Sequence, residues 1–332
     1  MAAAKAIVVV GITGNQGGSV AEAFLQIPGW RVIRITGNVN SEAALRWASR
    51  GVEMRLADLS QLSSLQTAFA KASVIFGMTD FWQHMRDRSA QKFSHLTGQS
   101  LAQICYSREV QQGQNLVDAA ASVSGLELFV LSTLSGATKW SYGRITGAYN
   151  FDAKRSAVEY LQQRYPELWN LTSLVQAASF MENYKKVTRP QADGTFVIGT
   201  SMPAHTRSPW IHPTADMGTF VKALVQIPPG QNLAGQAEEL SWDDICTAFT
   251  RVSGIHILYR RYTASELERL IPNGGYMLAA MFDYFRDVGY YGGDSTIVYP
   301  KDLEQRYSVT IPTTTYEAYF RTDLPSFFEQ VS

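Results

Sequence analysis

One lysine in this chain of 332 residues stands where chemistry could be done with it. In the stretch YNFDAKRSAVEYL, residues 149–161, the residues Phe151, Lys154, Val158 and Leu161 step by 3, 4 and 3 and so share one helix face. Lys154 therefore lies on an apolar, inward stripe, while Arg155 and Glu159 sit together on another face. An ammonium placed there, with no acid partner evident in the sequence, is costly unless it meets acceptors such as ribose hydroxyls. The alternative is a lysine that snorkels from the first turn of its helix to water. Hydroxyls able to hand over a proton stand near it in chain order: Ser132, Thr133 and Ser135 in LSTLSG, and Tyr149.

A second candidate is the turn GITGNQGGSV, residues 11–20, directly after the apolar run Ala6–Val10. Gly11, Gly14 and Gly17 give the spacing G-x-x-G-x-x-G, with Thr13, Asn15 and Gln16 between them. A strand, a glycine turn and then a helix, read as opening at Ser19, let backbone approach a pyrophosphate without Cβ interference. They also aim the free N–H groups of the helix start at the anion. The end of the second strand decides which dinucleotide fits. It reads Thr36-Gly37-Asn38, with no acid to hold a ribose 2′-hydroxyl and repel a 2′-phosphate, and Arg34 shares a face with Thr36. NADP(H) is favoured and NAD(H) remains open; the plainer reading of Arg34 is a solvated edge residue. Asp58, followed by Leu59, closes the third strand, where it either meets the adenine amino group or caps the helix starting near Gln61. Met78, Thr79 and Phe81, with Trp82 beside them, end the fourth strand. They flank the ribose and nicotinamide side or simply pack there.

These residues need elements to hold them. Strand-like runs at Ala6–Val10, Arg31–Thr36, Val52–Leu56, Val74–Met78, Leu126–Ser132 and Leu171–Val175 alternate with helical patterns at Ser19–Gln26, Ser41–Arg50, Leu62–Lys71, Gln111–Ala121 and Asp152–Tyr165. Such alternation predicts an α/β fold with a doubly wound parallel sheet and right-handed crossovers. Residues 1–178 form this domain. Residues 179–332 form mostly a smaller subdomain packed over the sheet's carboxyl edge, with segments around 208–226 returning to the first domain. In the later part, GGYMLAAMFDYFRDVGYYGG (274–293) reads as a core helix or as a pocket lid, with Tyr290 and Tyr291 near a Gly292-Gly293 hinge, suited to a flat, apolar substrate; Tyr284 and Tyr290 are candidate pocket residues with Phe81 and Trp82. His205 and His212 read as structural.

Composition narrows the function. With 29 basic and 29 acidic residues the net charge is zero, which gives no electrostatic footprint for nucleic acid or an anionic membrane. Two cysteines, Cys105 and Cys246, fit a reducing compartment and have no metal-ligand spacing, so no metal is expected. The leading Met1–Lys5 and the apolar run after it are too short for a signal segment or a membrane span, and a cytoplasmic protein, monomer or homodimer, is the default.

Together, VVVGITGNQGGSVA, ADLSQLSSLQTAFAKASVIFGMTDFW, GQNLVDAA, YNFDAKRSAVEYL, ASFMENY and GYYGG resemble the NmrA-like family of atypical short-chain dehydrogenases/reductases across most of residues 5–293. The resemblance implies a Rossmann domain with a small α/β subdomain and binding of NADP(H). It also implies a membership divided between reductases, many in fungal secondary metabolism, and redox-sensing regulators that bind dinucleotide without turnover. By motif, Gly11, Gly14 and Gly17 would hold the pyrophosphate and Lys154 would meet the nicotinamide ribose. Phe180, Met181, Glu182 and Asn183 would shape the inner wall of the substrate pocket. Two positions depart from the pattern. Asn150 stands four residues before Lys154, where short-chain dehydrogenases carry the proton-donating tyrosine. Gly37 stands where similar sequences carry an arginine for the 2′-phosphate. Three functions follow as expectations: an NAD(P)H-dependent reductase of a mid-sized apolar or aromatic carbonyl, enone or imine; a non-catalytic dinucleotide sensor acting through a protein partner; and a redox-neutral isomerase or cyclase.

Overall fold

The computed structural model describes residues 4–331, so the first three residues of the leading stretch lie outside the described residues. The amino-terminal half alternates strand and helix. The strands are β1 (Lys5–Val9), β2 (Trp30–Thr36), β3 (Glu53–Leu56), β4 (Val74–Gly77), β5 (Leu128–Thr133) and β6 (Thr172–Ala177). The helices are α1 (Asn15–Leu25), α2 (Glu42–Ala48), α3 (Leu62–Phe69), α4 (Phe81–Arg86), α5 (Arg88–Thr97), α6 (Leu101–Ala121), α7 (Ala137–Trp140) and α8 (Tyr149–Arg164). Together with two later strands, Asn232–Gly235 and Ile297–Val298, the six strands make one eight-stranded sheet whose neighbours all pair in parallel. The order runs from Ile297–Val298 through Asn232–Gly235, β6, β5, β4, β1 and β2 to β3, so strand order reverses between β1 and β4. In an open parallel sheet this reversal leaves a crevice at the carboxyl ends of the strands, where ligands bind.

Alternation along the central strands sorts two cores, as expected for a sheet covered on both faces. Ile7 and Val9 of β1 face α1 and the later helix Pro213–Val225, and Val8 faces α3, α6 and α8. Gly113 of α6 lets α8 approach closely: a Cβ there would come within 2.8 Å of the Ala157 Cβ. The remaining chain builds two three-stranded sheets, one from Ser179–Phe180, Ser208–Ile211 and Glu238–Leu240, the other from Thr188–Pro190, Phe196–Thr200 and Ile257–Arg261.

Several elements differ from the sequence reading. Helix α1 opens at Asn15, not Ser19, because Gly17 and Gly18 lie inside its first turns. Helix α6 begins ten residues before the expected Gln111, and α4 and α5 were not anticipated. The dense aromatics form a closed core rather than an open cleft. Tyr184, Tyr284, Tyr316, Phe249 and Phe320 are fully buried there, with edge-to-face pairs such as Tyr184–Phe320 at 5.1 Å.

Asp216, buried in helix Pro213–Val225, accepts from His212 N at 3.1 Å and from the Thr314 backbone and hydroxyl at 3.0 and 2.8 Å, tying the chain before the last helix to this one. Burial pushes its carboxyl up to about 6. The folded state thus holds the proton more tightly than the unfolded one, so this group adds stability as pH falls through about 6 towards 4 and adds none above that window. Denaturant titrations at pH 5 and pH 7 should show this gain, of roughly 1 kcal/mol over that interval, in the wild type and not in Asp216→Asn. An equal pH response in both proteins would contradict the assignment.

Candidate functional site at the carboxyl edge of the sheet

The glycine turn is shaped by close approach. Gly11 has φ +74°, and Met78 lies against it so tightly that a Cβ would sit 2.7 Å from Sδ. Inside α1, a Cβ on Gly17 would meet Gly11 C and O at 2.5 Å and Val10 O at 2.6 Å. Gly14 is the N-cap of α1, which has neither a side-chain cap nor an acid in its first turn. The first-turn amides therefore point outward without side-chain partners, as an anion requires. Thr13 and Asn15 are exposed beside them; Gln16 is buried, and its Oε1 accepts from Ser132 Oγ at 2.6 Å. Asn15 Nδ2 donates to Glu182 Oε1, linking the turn to the ASFMENY segment. Glu182 Oε2 is buried without a partner, and burial raises this carboxyl.

Arg34 faces inward from β2 and is 5% exposed, with Nε and Nη1 buried and unpartnered. A guanidinium left in that state is costly and suits an arriving anion. Its burial lowers its pKa from the usual arginine value. This is not the solvated edge residue of the plainer reading. Thr36 is half-buried and exchanges hydrogen bonds with Asn38, both at 3.2 Å. Asp58 is exposed and accepts from Ser60 N at 2.8 Å; it does not cap α3, which starts at Leu62 with no side-chain cap. Leu59 O accepts from Asn115 Nδ2 at 2.8 Å. An open groove of about 510 Å³ runs beside the turn, lined among others by Thr13, Asn15, Trp47 and Thr214.

Lys154 does point inward, yet the acid that the sequence did not reveal is present. Its Nζ donates to Glu109 Oε1 at 2.5 Å, to Thr79 O at 2.7 Å and to Thr79 Oγ1 at 3.1 Å, with 14% of the lysine side chain exposed. Glu109 is 1% exposed and also accepts from Thr79 Oγ1 at 2.6 Å. A signal for it was there: Ala102, Cys105, Glu109, Gly113, Leu116 and Ala120 form a buried stripe at helical spacing, interrupted by one carboxylate.

The other expected catalytic groups are differently engaged. Thr133 Oγ1 donates to Lys154 O at 3.3 Å, which puts it behind the helix backbone. Ser135 is a correction. It is buried in the aromatic core, donates to Tyr290 O at 2.5 Å and shares a hydrogen bond with Tyr284 OH at 2.9 Å. Tyr284 is fully buried in the same core; Tyr290 OH donates to Ala177 O at 2.7 Å, and Tyr290 lines, with Tyr291 and Tyr299, a cavity of about 230 Å³. Asn150 is buried with Nδ2 towards Met281 Sδ at 3.8 Å. Tyr149 is half-buried, its ring 5.9 Å from that of Tyr106. Phe81 is buried in a small cluster with Met277, and Trp82 packs on its edge. Phe180 is half-buried, and Asn183 Oδ1 accepts from Lys186 Nζ at 2.8 Å. Among the described residues no group of histidine, cysteine, aspartate and glutamate could hold a metal ion, and no helix is long and apolar enough to cross a membrane.

A doubly wound parallel sheet with a glycine turn at its switch point defines the Rossmann-type α/β class. The chain belongs to the NmrA-like family, whose model matches residues 3–320. It is 27% identical over 267 residues to the NmrA-like family domain-containing oxidoreductase hkm9 of Aspergillus hancockii, covering 76% of this chain and 74% of that one. Among solved structures, it resembles NmrA, a negative transcriptional regulator, in complex with NADP, with a TM-score of 0.74 at 19% identity over 99% of this chain and 98% of that one. It also resembles the Escherichia coli NADPH-dependent quinone oxidoreductase QOR2 complexed with NADPH, with a TM-score of 0.67 at 18% identity over 96% and 99%.

Proposed function

We propose that this chain is an NAD(P)H-dependent reductase that prefers NADP(H), accepts NAD(H), and acts on a mid-sized apolar or aromatic carbonyl, enone or imine. The observation that carries the reading is Lys154: its amine is fixed at Thr79, on the carboxyl edge of β4, one strand from the uncapped start of α1. A dinucleotide laid across the switch point would place its pyrophosphate on the turn at Gly11, Gly14 and Gly17 and its nicotinamide ribose near Lys154. The unpartnered donors of Arg34 fit a 2′-phosphate, which favours NADP(H) although Gly37 offers no arginine. When bound, the dinucleotide supplies a hydride; the protein holds and orients it and excludes water. Phe180, Trp82 and Tyr149, all half-buried, are aromatic surfaces that a substrate would meet on this reading. The names of relatives such as hkm9 support an oxidoreductase.

A second reading, a dinucleotide sensor, is favoured by one observation. Ser132, Thr133, Ser135 and Thr79 all donate within the protein, and Asn150 stands in the tyrosine's place. NmrA itself is described as a regulator. The two separate in one assay. Purified protein is mixed with NADPH and a panel of apolar ketones, enones and imines, and nicotinamide absorbance is followed. The reductase reading expects substrate-dependent loss of NADPH; tight NADPH binding with no loss across the panel would leave the sensor.

A further inference from the structure

We propose that Glu109 is the positioning residue of this site, acting through Lys154. An ammonium has three protons to donate: Glu109 Oε1 at 2.5 Å and Thr79 O at 2.7 Å hold two of them, and the third makes only the longer contact to Thr79 Oγ1 at 3.1 Å, which is the one a ribose hydroxyl would replace. The Thr79 hydroxyl sends its own proton to the same carboxylate oxygen, so one atom of Glu109 orients both groups. The other oxygen, Oε2, is buried with no partner. A neutral core residue would pack at this position without desolvating a carboxylate, so the charge acts on its two neighbours rather than on the packing.

The helices explain why the carboxylate and the amine meet. Helices α6 and α8 touch closely at Gly113 and Ala157, and Glu109 lies four residues before the first and Lys154 three before the second. One turn up from the contact, the two side chains face each other and reach Thr79 just beyond β4. The tether converts a long, flexible side chain into a fixed cation before any ligand arrives. Preorganisation of this kind reduces the conformational cost of binding.

The inference rests on the reading that Lys154 meets the nicotinamide ribose, and the test keeps the two apart. NADPH affinity is measured by calorimetry for the wild type, Glu109→Gln, Lys154→Met and the double variant, each checked for folding by circular dichroism. Glu109→Gln keeps an acceptor but removes the charge, and should weaken NADPH by about tenfold, the difference between a charged and a neutral hydrogen bond. In the Lys154→Met background the same change should have no further effect, because Glu109 acts through the amine. Unchanged affinity in Glu109→Gln, or an equal loss with and without the lysine, overturns the proposal. Failure of the wild type to bind NADPH overturns the functional reading instead.

Should the variants not fold, the wild type alone still decides. Acylation of lysine amines in the dinucleotide-free protein, read by peptide mass spectrometry, should modify Lys154 at least about tenfold more slowly than the exposed Lys71 and Lys301. Modification of Lys154 at the rate of those two would mean that the amine is not tethered.

Discussion

Gly17→Val should weaken dinucleotide binding far more than it weakens the fold. The added Cβ lands 2.5 Å from Gly11 C and O and 2.6 Å from Val10 O, all of them backbone atoms that cannot rotate away. To make room, the turn must lift off the end of β1 or α1 must shift along its axis, and either movement spoils the cradle of first-turn amides. Overpacking alone costs about 1–3 kcal/mol of stability. The affinity loss should be larger than the stability loss, because the pyrophosphate depends on all of these amides at once. A fall of about a hundredfold or more in NADPH affinity is expected for a variant that still melts cooperatively. Gly17→Ala should move both quantities in the same direction. Wild-type affinity in Gly17→Ala would show that the ligand does not sit on this turn.

Lys154→Met should destabilise the protein by about 3–5 kcal/mol, since it leaves a fully buried carboxylate without its countercharge. Exposed pairs such as Lys5–Glu127 are worth far less: water screens them, and their side chains lose entropy on pairing. Adding Glu109→Leu to Lys154→Met should restore most of the loss, because two apolar side chains of similar volume pack without a desolvation penalty. Urea titrations of the three proteins give the comparison. A Lys154→Met variant as stable as the wild type would mean that Glu109 is not held as a buried ion. The rescued double variant should nevertheless bind NADPH more weakly than the wild type, which separates the structural part of the pair from its functional part.

How much of this was legible in the sequence depended on whether the signal was local. The inward face of α8 was readable because Phe151, Lys154, Val158 and Leu161 repeat at helical spacing, and the glycine turn was readable because its glycines follow a strand. Glu109 was not assigned, although it interrupts an apolar stripe, because its partner lies 45 residues away and only tertiary contact joins them. The strands Asn232–Gly235 and Ile297–Val298 extend the main sheet but have four and two residues, too few to show alternation. Composition also misled at one point. The many tyrosines and phenylalanines after residue 140 suggested an aromatic-walled cleft, yet an aromatic-rich segment reads the same whether it lines a cavity or fills a core. Here the hydroxyl of Tyr290 reaches Ala177 O and that of Tyr184 reaches Asp323 at 2.7 Å, so the rings are held inside. Arg34 was read on the face it shares with Thr36, but its burial and its two unpartnered nitrogens are visible only in three dimensions.

On the proposed reading, the turn at residues 11–18 and the amine of Lys154 hold one nicotinamide dinucleotide between them. Titration calorimetry of the purified chain with NADPH and with NADH tests it most directly. Saturable one-to-one binding of NADPH, tighter than that of NADH and weakened in Lys154→Met, is the predicted result; no heat of binding with either dinucleotide would contradict the account.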